Sequence, residues 1–336
     1  MRFLFCVPLV LVTMTGFMTP SSPSSEPTTS LLLVANKGDH TVSLVDPSAG
    51  KQIAAVDVKG VTGHELVASP DGKLAFVPIY GDSGVGLPGS NGSNLVVIDL
   101  AARKLTGNVD FGKGVRPHCA VIGPKNGLLY VTTELDQSIT VIDPKTLKIV
   151  SKVPTGQAES HMLAISHDGR RGYTANVGPG TVSVLDLEAG KTIAVIPVAP
   201  KVQRVAISAD DRQVFTSDQT KPQLAVIDTA TNKVKTWIPM PAKGYGSAPT
   251  PDGRWLVIAL SSANQVAVID LQAMKVAHTV DVPAAPQEVL VSPDGKMAYV
   301  SCDASKKVAA IRTSDWRVDK LIETGPATDG LAWAGK

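Results

Sequence analysis

The sequence predicts an all-β fold, a seven-bladed β-propeller of four-stranded blades whose ring is closed by pairing N-terminal strands with a C-terminal strand. Three observations predict it. A hairpin motif recurs along nearly the whole chain, a second alternating run follows each copy, and the two chain ends are complementary pieces of one repeat.

The hairpin motif is clearest in APQEVLVSPDGKMAYV, residues 285–300. Copies start at His64 (HELVASPDGKLAFV), His118 (HCAVIGPKNGLLYV), His161 (HMLAISHDGRRGYT), Gln203 (QRVAISADDRQVFT) and Tyr245 (YGSAPTPDGRWLVI). The second run closes on Asp46, Asp99, Asp143, Asp186, Asp228 and Asp270, with Arg312 in the seventh place, at spacings of 53, 44, 43, 42, 42 and 42. A period in the low forties with short strands is the size of a four-stranded blade. The long first spacing marks an insertion of roughly ten residues in the B–C loop of the first blade, within YGDSGVGLPGSNGS, residues 80–93.

Four strands, A to D from the channel outward, fit each repeat. In the sixth blade they are expected at 287–292, 297–302, 307–312 and 317–323, with PDGK as the A–B turn. Proline presets φ there and glycine accepts a positive φ. Runs such as TVSLVD and VAVID alternate with period two, as strands with one buried face do, and no sustained helical stripe is present. The N-terminal repeat starts at a B strand (LLLVANKGD), and DGLAWAGK at the other end is an A strand with nothing after it. Joined, they complete the seventh blade and remove an open sheet edge.

The organisation expected is an export signal or anchor over 1–18, a Ser/Pro/Thr-rich spacer over 19–30 and one propeller domain over 31–336. The apolar run after Arg2 falls short of the ~20 residues of a membrane span and is interrupted by Pro8 and Gly16. No small-x-small cleavage site follows it, so cleavage and retention as an anchor both stay open. A periplasmic or secreted monomer follows, with no membrane association beyond that segment. Cys119 and Cys302 lie in distant repeats and are expected as two buried thiols. The formal charge of +2 gives no global field, and no aromatic-plus-basic stripe indicates nucleic acid.

The runs YVTTELDQSITVIDPKTLKIV, YTANVGPGTVSVLDLEAGK and PQEVLVSPDGKMAYVS resemble the YVTN-repeat β-propellers of bacterial envelopes and archaeal surface layers, over about residues 31–336. The resemblance implies the fold and an envelope location. It does not imply a reaction, because relatives of this architecture range from lactonases and lyases to surface-layer modules.

Chemistry therefore rests on positions. The residue that opens strand A lies at the channel mouth, and around the ring it is His64, His118, His161, Gln203, Tyr245, Gln287 and Asp329. Two readings of the histidines compete. They bond neighbouring blades, as the family's PHGVA pattern implies, or they form a cluster for a small ligand or a divalent metal ion. Arg116 and Arg204 are candidate anchors for an anion. Glu65, Glu134 and Glu159 are candidates to orient the imidazoles, and Asn176 is a further ligand contact on the same face. An enzyme at this site, a lyase, isomerase or lactonase-like hydrolase acting on a sugar acid or lactone, would use His161, Glu159 and Glu134 for acid–base work. A scaffold that binds an envelope protein partner over the same face is the third possibility. The insertion is a candidate lid.

Overall fold

The computed structural model describes residue 3 and residues 30–60 and 63–335. Seven sheets of four antiparallel strands form the ring. The expected signal and most of the spacer lie outside the described residues. No helix among those described is long and apolar enough to cross a membrane.

The sixth blade shows the unit, with strands Pro286–Val291, Met297–Cys302, Lys307–Arg312 and Arg317–Glu323. The closing blade joins Thr328–Ala334 to Leu31–Asn36, Thr41–Asp46 and Lys51–Asp57, with Leu32 opposite Trp333 and Leu33 opposite Ala332. Two 3-10 turns, Glu134–Asp136 and Asp303–Ser305, are the helical content of the described residues.

The C strands correct one expectation. Runs such as TVSLVD and QVAVID bury all four central residues, on both faces. A blade packs against a neighbour on each side, so its inner strands have no solvent face. Alternation is found instead on the outer D strands, where KQIAAVD and KTIAVIP expose every second residue. Blade-to-blade contacts such as fully buried Phe76 and Phe215 contribute about 1.5–3 kcal/mol each. Cys119 and Cys302 are free and buried, as expected.

Turn chemistry follows the sequence. Ser69 donates its hydroxyl to Asp71, and the Gly72 N–H closes the turn on the Ser69 carbonyl at 2.8 Å with φ at +69°. At the opposite end the A strands carry irregularities. Register shifts fall between Pro117 and Ala120, Ser160 and Met162, Pro286 and Val289, and opposite Thr328–Leu331. These bulges coincide with His118, His161, Gln287 and Asp329, and a bulge re-aims a side chain that regular pleating would send elsewhere.

Candidate functional site at the channel mouth

The three strand-A histidines meet. The His118 and His161 rings lie 3.6 Å apart between centroids with planes at 32°, and His64 is 5.3 Å from His118. Tyr80, the first residue of the insertion, stands edge-on among them, 5.2, 5.3 and 5.9 Å from His64, His118 and His161. Its hydroxyl donates to Glu134 Oε2 at 2.6 Å, and His161 Nδ1 lies 3.5 Å from the same oxygen. Tyr80, Glu134, His118 and His161 are all buried.

Burial sets the protonation of this group. It holds the His118 imidazole well below its ordinary range, and the charges of His161 and His64 would add to the shift. His161 is lowered to about 4, again by burial, with Glu134 only partly opposing. Both imidazoles are therefore neutral near pH 7. Burial alone would raise Glu134, but His161, Tyr80 and Arg116 reverse it and keep the carboxylate ionised. The Nδ1 atoms of both buried imidazoles have no hydrogen-bond partner.

A second cluster lies across the channel. Arg204 NH1 donates to Glu65 and, at 2.6 Å, to Glu288, and NH2 is 3.4 Å from Asp329. Its guanidinium also sits 4.7 Å over the Tyr245 ring, whose hydroxyl accepts from Gln203 at 2.8 Å. Asp329 joins the clusters by pairing with His64 Nδ1 at 3.1 Å and Lys37 at 3.1 Å. Lys37 also bonds Asp303 at 3.0 Å. Burial pushes Glu65 up to about 8 despite Arg204, with Glu288 and Asp329 reinforcing the rise. Burial works against Asp329 as well, but His64, Lys37 and Arg204 hold it well below the usual carboxylate range.

The remaining expected residues are placed differently. Arg116 does not face an open mouth. Its Nε donates to Asn91 at 2.7 Å, its NH2 to the Leu87 carbonyl at 2.8 Å and its NH1 to the Gly84 carbonyl at 3.3 Å, so it ties down the insertion. Arg204 is equally engaged by its carboxylates. Neither guanidinium is free for an anion in this arrangement. Glu159 accepts the Gly178 N–H at 2.7 Å and makes no bond to an imidazole. Asn176 is a blade fastener, bonded to Ser160, Thr174, Thr181 and Ser183.

The insertion is folded rather than loose. Gly92 N–H bonds the Tyr80 carbonyl at 2.7 Å, and Ser90 N–H bonds Asp82 at 2.6 Å. A Cβ on Gly81 would meet the Ser90 carbonyl at 2.1 Å with φ at +109°, so this corner requires glycine.

Tyr80 and Lys37 are the residues that sequence reasoning missed. Both immediately follow a B strand (Leu74–Ile79 and Leu31–Asn36), as do Glu134 after Leu129–Thr133 and Asp303 after Met297–Cys302. Read around the ring like the strand-A position, this place would have revealed all four.

The fold and site define a member of the seven-bladed β-propeller class with a buried His/Tyr/Glu cluster at the channel mouth. The model of the cytochrome D1 heme domain family matches residues 122–249. Among solved structures, the chain is similar to Kuenenia stuttgartiensis hydrazine synthase, at 22% identity and TM-score 0.73, over 84% of this chain and 92% of that one. It is similar to the dihydro-heme d1 dehydrogenase NirN, at 16% identity and TM-score 0.67, over 93% and 77%. The periplasmic gluconolactonase PpgL of Pseudomonas aeruginosa matches at 17% identity and TM-score 0.71, over 91% and 99%. These likenesses establish the fold. No curated protein sequence matches the chain.

A haem group does not fit the mouth as folded. Tyr80 packs edge-on against all three imidazoles, and both arginines that could face propionates are already bonded. No group of three or more His, Cys, Asp or Glu side chains among the described residues is arranged to hold a metal ion. The stacking of His118 on His161 accounts for that, since near-parallel rings direct their in-plane lone pairs side by side.

Proposed function

We propose that this chain is an exported envelope propeller of the YVTN-repeat type that binds a small ligand at the channel mouth through His64, His118, His161, Tyr80 and Glu134. One observation carries the proposal. His118 and His161 are neutral, buried and packed ring against ring at a 32° tilt. His118 Nδ1 lacks a partner, and His161 Nδ1 has only a long 3.5 Å approach to Glu134. Buried polar atoms are nearly always paired, and an unpaired group costs about 1–3 kcal/mol. A histidine that merely fastened blades would end in a hydrogen bond, as His64 does on Asp329. A divalent ion is a possible ligand only if the imidazoles turn out of their stack, since neutral nitrogens are what zinc and copper take.

The test is nitrogen-detected NMR of the imidazoles in the full chain, titrated with zinc chloride, copper sulfate and glucono-1,5-lactone. Binding to the proposed site shifts the His118 and His161 signals and raises the melting temperature, and the His118→Ala/His161→Ala variant loses both responses. Imidazole signals that no probe moves, with a variant that is only destabilised, would return the histidines to blade bridging.

A second reading is favoured by the His161–Glu134 pair. A neutral imidazole 3.5 Å from an ionised carboxylate is suited to general-base work on a lactone, and the likeness to a gluconolactonase supports this at the level of fold. On this reading, glucono-1,5-lactone is hydrolysed, and His161→Ala and Glu134→Gln each lower turnover by about 10²–10⁴-fold. Hydrolysis that both variants retain would refute it.

A further inference from the structure

Carboxylates outnumber cations at the mouth, and the cations are all engaged. Lys37, Arg116 and Arg204 face Glu65, Glu134, Glu288, Asp303 and Asp329. Burial raises both Glu65 and Glu288, so the surplus that bears on a ligand is local, Glu134 and Glu159 against Arg116. A cation would relieve that surplus.

A pocket of about 410 Å³ opens beside the insertion and leads to the same cluster. Leu87 and Pro88 form its wall on the insertion side, Leu135 the opposite wall, and Glu134 and Glu159 contribute carboxylates. Leu87 and Leu135 are 61% and 47% exposed, large apolar side chains that this soluble surface leaves uncovered. Arg116 also borders the pocket, with its N–H groups on Asn91, Leu87 and Gly84 and a longer contact of 3.5 Å to Glu134 Oε1, which leaves Glu159 as the carboxylate without a cation. Behind Glu134 lies His161, nine-tenths buried, with its unpartnered Nδ1 3.5 Å from the carboxylate. The wall of the pocket is thus one residue away from the orphaned imidazole.

We propose that this pocket is a binding subsite for a small organic cation, a protonated primary amine with a short hydrocarbon arm. The ammonium group bonds Glu134 and Glu159, and the hydrocarbon lies against Leu87, Pro88 and Leu135. An ammonium supplies three donors to carboxylates that have acceptor capacity left. A bare metal ion would make no use of the apolar walls. The proposal rests on the reading that the mouth binds a small ligand, and it names the class.

The experiment is isothermal titration of the full chain at pH 7 with n-butylammonium chloride and, separately, sodium butyrate, which carries the opposite charge on a similar carbon arm. Saturable binding of butylammonium, no binding of butyrate, and weakening by about tenfold or more in Glu159→Gln are the expected results. Leu135→Ser should weaken binding several-fold with the melting temperature preserved. The Gln substitution keeps an oxygen for the Gly178 N–H, so the blade stays intact. Butyrate binding as tightly as butylammonium, undiminished binding in Glu159→Gln, or no saturable butylammonium binding would each overturn the subsite. Failure here, with imidazole signals that still respond to zinc, copper or lactone, would leave the mouth as a binding site and remove only the amine. Amine binding that depends on Glu159 while the imidazoles respond to nothing would retain the pocket and remove the histidine reading.

Discussion

The two halves of the mouth occupy the same repeat position and solve the burial of polar groups differently. From blades four and five, Gln203 donates to Tyr245, and Arg204 beside them is held by carboxylates of the first, sixth and closing blades and by an aromatic face. On blades one to three, beneath the insertion, two imidazoles are left with unpartnered nitrogens around a phenol. The backbone frame is common to both, and among the described residues of the arginine half only Arg204 Nε is left without a partner. What differs is the side chain at one position per blade and the presence of the insertion. On the proposed function, the ligand belongs to the histidine half, and the arginine half stabilises the ring.

The comparison is broken most severely at Arg204. Arg204→Ala leaves Glu65, Glu288 and Asp329 buried without their shared cation, and the expected loss is about 3–5 kcal/mol in denaturant unfolding. A loss below about 1 kcal/mol would show that the carboxylates were neutralised in some other way.

The pH profile sharpens it next, because the halves pull in opposite directions. His118 and His161 are depressed in the folded chain, so their unfolded forms take up protons near 6.5 that the native state refuses. Stability from His161 is full above pH 6.5 and is lost as pH falls toward about 4, and His118 contributes in the same direction. Glu65 is raised to about 8 from 4.5, so its contribution is full below 4.5 and is lost as pH rises toward 8. Each group alters the slope by at most about 1.4 kcal/mol per pH unit. Burial raises Glu288 in the same direction, so above 6.5 both glutamates lower stability as pH rises while the histidines no longer contribute to the slope. Stability measured by urea unfolding from pH 6.5 to 9 should therefore fall as pH rises toward 8. A steady rise across that range would contradict the assignment of Glu65.

The smaller expected effect is at His64, the histidine of the mouth that makes a hydrogen bond. His64→Leu removes a bond to buried Asp329 and should cost about 1–3 kcal/mol, because Asp329 loses a donor. No measurable loss would mean that Lys37 alone satisfies Asp329.

Much of the fold was legible because it repeats. The period, the SPDG turns and the complementary ends give blade number, strand order and closure without tertiary information. The double burial of the C strands was not legible, since alternation of Val with Ser or Ala looks the same whether one face is packed or two. The shared place of His64, His118 and His161 at the mouth was legible for the same reason as the fold, from one recurring position. Their meeting was not, because the sequence leaves open whether they face the channel or bridge blades. Nor were their neighbours. Arg116 points at the insertion because the loop offers it two carbonyls and Asn91, and nothing in the string GVRPH announces those partners. Glu159 and Asn176 are drawn into bonds within their own blade, contacts that a face-level assignment cannot separate from ligand contacts.

The central claim is that the unpaired imidazoles serve a ligand rather than the ring. The most direct measurement is His118→Leu, compared with the parent chain in urea unfolding and in the titrations that follow the His161 imidazole. Removing an unsatisfied buried nitrogen in favour of a similar apolar volume should leave stability within about 1 kcal/mol while abolishing the response to ligand. A variant that loses several kcal/mol of stability and still responds to ligand would make His118 a structural fastener and move the binding site elsewhere.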